Sequence, residues 1–338
     1  MDPGNVQVKE APRPPARRRA VLAMLSITLI WGWAFVWMKQ AVSAGDAWLQ
    51  RVAPDSAAGG AFEVRGLLTT IGVFMTLRFL AAAGVLALLS SRARANLDGA
   101  AWRGGILLGG LLLCGFFLQM IGLESLSASV SAFLTSLYVL FTAAVVAVTA
   151  RRAPSGPLLV GVLLATLGAA YIGGPPQLTF GTGEWLTIAS AFVFALHIVV
   201  TDRVTRRVDP MAITLTSFVV VALGSMALCG FGLASEHTPA LARVGELIAD
   251  RQFLIALSAA SLFATLIAIS FMNLFQRELT PVRAAIIYAI EPVWASLIAI
   301  GIGMDQADSW LFFGGGLLLA GNLVAEIRLS GRGARPSS

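Results

Sequence analysis

The chain has 338 residues, 12% of them charged and 57% hydrophobic, where a soluble domain carries about a quarter charged and half apolar residues. With a mean hydropathy of +0.81, its surface is built for a bilayer, which excludes soluble, fibrous and disordered classes. A net charge of +6 would point to nucleic acid in a soluble protein. Here the basic residues lie in short stretches between apolar runs, so they report orientation in the membrane and no nucleic-acid partner is expected.

In chain order, residues 1–19 combine prolines with Lys9, Arg13, Arg17, Arg18 and Arg19 and read as a flexible basic tail. The apolar run that follows, 20–43, is longer than a signal-peptide core and is the first of many, so it is expected to stay as a spanning helix. A helix needs about 20 apolar residues to cross the hydrocarbon, because only internal pairing satisfies its backbone there. By that measure the further spans are 67–90, 102–122, 127–150, 156–174, 182–202, 211–234, 252–274, 280–304 and 308–329, ten in all. The connections 44–66, with Asp46, Arg51, Asp55 and Glu63, and 235–251, with Glu236, His237 and Glu246, read as solvent-facing segments on one side. Residues 330–338 form a second tail. The two cysteines, Cys114 and Cys229, fall inside apolar runs, so neither a disulfide framework nor a thiolate metal site is expected.

With the N-terminus inside, the inner tails and loops hold 17 of the 24 basic residues. Only Arg51, Arg65, Arg243 and Arg251 fall outside, and Lys39, Arg78 and Arg283 lie within or beside spans. The positive-inside rule therefore places both termini in the cytoplasm.

An internal repeat organises the spans. LSASVSAFLTSLYVLFTA, from Leu126, overlays LTPVRAAIIYAIEPVWAS, from Leu279, at a constant offset of 153, and FFLQMIGLES from Phe116 extends the register over ISFMNLFQRE from Ile269. The repeats are 20–152, through 174 with the fifth span, and 182–329. An odd number of spans per repeat inverts the second against the first, the arrangement of many alternating-access carriers. The expected fold is an all-α integral membrane protein of ten helices in two inverted five-helix repeats.

Ionisable residues inside spans cost roughly 2.5 to 3.5 kcal/mol on insertion scales and so mark cavities or partners. Glu291 sits mid-span directly before Pro292, whose missing N–H frees a carbonyl one turn earlier and makes it the expected hinge. A ligand or proton role for Glu291 stands beside an interhelical hydrogen bond. Ser131, Thr135, Tyr138 and Thr142 share one helix face, and their repeat partners are Ala284, Tyr288, Glu291 and Ala295; the two faces are expected to line a central cavity. Ser190, Phe194, His197 and Thr201 share a face of the sixth span, and Trp31, Trp33 and Trp37 crowd the first. His197 is a pathway candidate, with an interfacial or structural role as its alternative. Arg78, a buried charge about as deep as Glu291, could pair with it, hold an anionic substrate or bind backbone carbonyls. Lys39 and Arg283 are expected to snorkel. Gly105 with Gly109, and Gly316 with Ala320, form small-residue faces for close helix packing or, alternatively, for a homodimer.

No GxxxxGK[ST] loop, HExxH or GxSxG motif occurs, and His197 and His237 are too isolated for a metal centre, so no enzyme, cofactor or metal is expected. WGWAFVWMK in the first span, LRF in the second, SASVSAFLTSLYVLFTA in the fourth, GEWLTIASAFVFALHIVVTDRVTRRVDP around the sixth and EPVWASLIA in the ninth together resemble the drug/metabolite transporter superfamily of EamA type, over residues 20–329. The resemblance implies ten helices from two EamA-like repeats, a bacterial inner-membrane location and transport of metabolites or amino acids, frequently export. It points to Trp31 and Gly32, Thr135 and Tyr138, and Glu291 and Pro292 as pathway or hinge positions. The leading expectation is a secondary carrier of a small amphipathic metabolite, with proton or ion coupling open. A membrane enzyme acting on a lipid-linked substrate and a non-transporting membrane partner or sensor are the alternatives.

Overall fold

The computed structural model describes residues 14–52, 61–151, 153, 156–171, 175, 180–233 and 243–326. The tail residues 1–13 and 330–338 and His237 lie outside the described residues. The elements are α1 (Pro14–Val52), α2 (Ala61–Leu89), α3 (Ser91–Ala95), α4 (Gly99–Ser125), α5 (Ala128–Thr135), α6 (Tyr138–Thr149), α7 (Gly156–Tyr171), α8 (Thr182–Thr205), α9 (Pro210–Leu233), α10 (Val244–Ala249) and α11 (Arg251–Ala259). A π-helical stretch, Ala260–Ile267, joins α11 to α12 (Ala268–Phe275), and α13 (Pro281–Tyr288), α14 (Glu291–Gly301) and α15 (Ser309–Glu326) complete the order.

The chain is thus an all-α membrane protein. Among the described residues eight helical runs are long and apolar enough to cross a bilayer, and Leu159–Tyr171 and Ser309–Val324 are shorter apolar helices. The first span differs most from expectation. Helix α1 begins at Pro14, inside the expected tail, and runs on to Val52, through the first part of the segment read as solvent-facing. Trp48 is fully buried there, so burial of one large ring holds in helical form a stretch whose Asp46 and Arg51 suggest a loop.

Two helices are interrupted. The fourth span divides at Ser136–Leu137 between α5 and α6, and the ninth at Ala289–Ile290 between α13 and α14, positions that the 153-residue offset pairs. The backbone pattern matches: Leu137 N donates to Leu134 O, and Ile290 N donates to Ile287 O, a tightened turn in each. Val139 stands where the second half has Pro292, so proline is not required for the interruption. Polar caps start both first segments. Ser127 accepts from Val130 N, and Thr280 accepts from Arg283 N, each satisfying an end donor that water would otherwise have to reach.

Small residues set the packing. A methyl group at Gly105 would lie 2.0 Å from Thr216 Oγ1, and one at Gly109 2.8 Å from Ser217 O, both on α9. The expected small-residue face of α4 therefore serves contact with α9. At α7 and α15, a methyl group on Gly168 would meet Gly314 O at 2.6 Å, and one on Gly321 would meet Gly161 O at 2.6 Å, so the two backbones touch. Gly316 has nothing within 4 Å.

Candidate functional site

At the centre of the bundle a cavity of about 80 Å³ lies between α1, α2, α4, α8, α12 and the two interrupted helices. Of the residues singled out by sequence, Trp31, Arg78, Thr135, Tyr138, His197, Tyr288 and Glu291 border it. The interruptions carry four of these. Thr135 and Tyr138 flank the break between α5 and α6, and Tyr288 and Glu291 flank the break between α13 and α14. Tightened backbone bonds carry the chain through each break, as a break at membrane depth requires where the backbone lines a cavity or is buried in protein.

The two interrupted helices meet directly here. Tyr138 OH donates to Glu291 Oε2 at 3.2 Å, across a sequence separation of 153 residues. The Tyr138 and Tyr288 rings, 6.4 Å apart, and the Trp31 and Tyr288 rings, 5.2 Å apart, meet edge to face, a geometry favoured by the ring quadrupole. Tyr288 OH donates to Gln276 Oε1 at 3.1 Å, and Gln276 Nε2 in turn donates to Ile198 O at 2.8 Å. This chain of bonds fixes the Tyr288 ring against α8. Glu291 opens α14 with Pro292 beside it; Pro292 brings no N–H, and Val293 N and Trp294 N both donate to Ile290 O.

A second group of side chains faces the same space. Arg78, 1% exposed, donates from Nε to Thr265 Oγ1 at 2.5 Å. Its guanidinium carbon lies 4.9 Å from the Phe116 ring centre, and Phe116 meets Phe194 edge to face at 5.3 Å. Among the described residues Arg78 makes no ion pair, and it does not pair with Glu291. Gln119 Nε2 donates to Thr135 Oγ1 at 3.1 Å, and Thr135 Oγ1 donates to Ser131 O at 2.8 Å. His197 is 3% exposed, with Nδ1 3.5 Å from Thr201 Oγ1. Because α8 continues to Thr205, eight residues beyond it and about 12 Å by helical rise, His197 lies inside the bundle and not at the interface.

The remaining sequence candidates lie beside the space. Gly32 packs on α14, where a methyl group would come within 2.6 Å of Trp294 Cβ. Ser131 is buried, with Oγ unpartnered. Lys39 reaches Leu123 O and Glu124 O at 2.8 and 2.7 Å at the end of α4, which ties it to protein where a snorkelling side chain was expected. Two features escaped sequence reasoning. Gln119 is an amide in an otherwise apolar run, FFLQMIG, and that isolation is its signal. The π-helical stretch has none, although it contacts both groups: Trp31 Nε1 donates to Ala264 O at 3.3 Å, beside Thr265. Among the described residues no set of three His, Cys, Asp or Glu side chains converges on a metal position.

Comparison with known proteins agrees with this architecture. Residues 181–326 match the EamA-like transporter family. An uncharacterized transporter of Archaeoglobus fulgidus is 23% identical over 233 residues, covering 69% of this chain and 71% of that one. A solved structure, described only as a crystal structure of a protein, superposes with a TM-score of 0.53 at 18% identity over 91% of this chain and 99% of its own, a likeness of fold. Residues 181–326 thus carry a domain similar to the EamA-like transporter family, within an all-α, multi-pass membrane protein.

Proposed function

We propose that the protein is a secondary carrier that moves a small amphipathic metabolite, an amino acid or a related solute, outward across the cytoplasmic (inner) membrane by alternating access. One observation carries this reading: two interrupted helices, paired by the internal repeat, present Tyr138 and Glu291 to each other across a central space. A site shared by both halves is exposed to either side by rocking one half against the other.

In this reading the chain has ten spans in two inverted repeats, 20–152, through 174 with the fifth span, and 182–329, with both termini in the cytoplasm. The distribution of basic residues and the coincident interruptions support it. Trp31, Thr135, Tyr138, His197 and Tyr288 border the pathway, Gly32 and Ser131 back it, and Pro292 acts at the hinge. Glu291, whose Oε2 accepts from Tyr138 OH, contacts the solute or takes up the coupling proton in this reading, because ionisable groups placed inside spans commonly mark such sites.

The test is efflux from proteoliposomes loaded with a metabolite pool, wild type against Glu291→Gln, at two pH gradients. Loss of transport or of its pH response in the variant is the expected result. Unchanged transport with an unchanged pH response would remove Glu291 from the mechanism.

A further inference from the structure

The space has an unused cation. Arg78 Nη1 is buried without a hydrogen-bond partner, while Nε is engaged by Thr265. Thr265 owes its position to the π-helical stretch, because its hydroxyl also bonds to Ala260 O, five residues back, at 2.9 Å. That five-residue reach belongs to the wider turn, and such turns recur at functional sites. The turn therefore holds the guanidinium by one edge and leaves Nη1 free. The guanidinium carbon lies 6.0, 5.4 and 4.9 Å from the Phe74, Phe79 and Phe116 ring centres; Leu112, Phe194 and Glu291 line the same space, and among the described residues Arg78 forms no ion pair. The rings offset part of the burial of this charge, but a buried cation without a counter-ion is still a costly arrangement.

Resting on the carrier reading above, we infer that Arg78 is the anchor for a carboxylate on the solute, with Thr265 as its positioning residue and the aromatic wall taking the apolar body. This narrows the carried class to small apolar or aromatic carboxylates, amino acids among them, and excludes amines, esters and neutral aromatics. A single guanidinium with one nitrogen free in an apolar wall matches a single negative charge, so a phosphate dianion is excluded as well. Gln119 Oε1, buried and unpartnered on the same space, is placed to accept an N–H or O–H from the solute.

The test uses the full chain in nanodiscs and three probes of one shape: phenylacetate, phenylacetamide and phenyl phosphate, titrated by tryptophan fluorescence. Phenylacetate is expected to bind about tenfold to a hundredfold tighter than the amide, the value of a charge-assisted hydrogen bond in a dry site, and phenyl phosphate more weakly than phenylacetate. Arg78→Gln is expected to bring the acid-to-amide ratio to about one. Thr265→Val, which keeps the cation and serves should Arg78→Gln fail to fold, is expected to narrow that ratio severalfold. Equal binding of acid and amide, tighter binding of the phosphate, a ratio that survives both substitutions, or no binding of any probe at millimolar concentration would each overturn the inference. Arg78-dependent acid binding without movement in proteoliposomes would sink the carrier reading and leave this assignment standing. Movement of neutral solutes with an unchanged ratio would do the reverse.

Discussion

Two glycines of α4 separate the effect of helix propensity from that of helix contact. Gly105 and Gly110 are in the same helix, so alanine gains about 1 kcal/mol of propensity at each. At Gly105 the new methyl would lie 2.0 Å from Thr216 Oγ1, 2.4 Å from Thr216 Cβ and 3.0 Å from its backbone carbonyl carbon, whereas at Gly110 nothing lies within 4 Å. A rotamer change cannot relieve a clash that includes backbone, so α4 and α9 must part, at a cost of about 1 to 3 kcal/mol. Parting also loosens the bond from Thr216 Oγ1 to Ala101 O, 3.0 Å in the native chain, a further loss of about 1 kcal/mol. Since the propensity gain cancels between the two variants, Gly105→Ala is expected to be less stable than Gly110→Ala by about 2 to 4 kcal/mol. Gly110→Ala alone is expected to exceed wild type. Denaturant unfolding of the purified chain in detergent measures both, and Thr216→Gly is expected to recover part of the loss. If the two alanine variants agree to within about 0.5 kcal/mol, the spread of uninvolved positions, the close approach of α4 and α9 is not the reason for Gly105.

Three further outcomes are expected. Asn322 Nδ2 donates to Ser136 O at 3.2 Å and to Ser136 Oγ at 3.1 Å, supporting the interruption between α5 and α6. Asn322→Leu should lower stability by about 1 kcal/mol, as found for polar contacts between membrane helices; unfolding in detergent with no loss would show that Ser136 needs no support. Arg151 has a φ of 51°, a conformation that costs an L-residue about 1 to 2 kcal/mol. Arg151→Gly should therefore stabilise by about 0.5 to 1 kcal/mol once the added freedom of the unfolded chain is subtracted, and a lower Tm would contradict it. Single cysteines at Arg151 and Arg206, in a chain otherwise without cysteine, should react with an impermeant maleimide from the same face of the membrane. Labelling from opposite faces would break the inverted arrangement.

The spans were legible because bilayer thickness imposes a length and an apolarity that composition alone displays. Interruptions were only half legible. Pro292 announces one, but Ser136–Leu137 lies in a run without proline or glycine, and its support comes from Asn322, 186 residues away. The π-helical stretch reads as an ordinary helix because side-chain periodicity over a single widened turn barely changes. The polar residues of the site stood out against their apolar neighbours, which is why Arg78, Tyr138, His197 and Glu291 could be named. Their grouping could not be, since it depends on which helices adjoin. For the same reason the fate of Trp48 was hidden: its flanking charges describe a loop, and only the ring's neighbours explain a helix.

The pairing of α7 with α15 has a consequence for how the chain is made. Residues 172–308 separate the two helices, and at 5 to 20 residues per second a ribosome needs on the order of ten seconds or more to supply them. During that interval the glycine-lined flank of α7 has only lipid to pack against. Its glycine-lined backbone stays open to lipid until the final helix is inserted and closes against it.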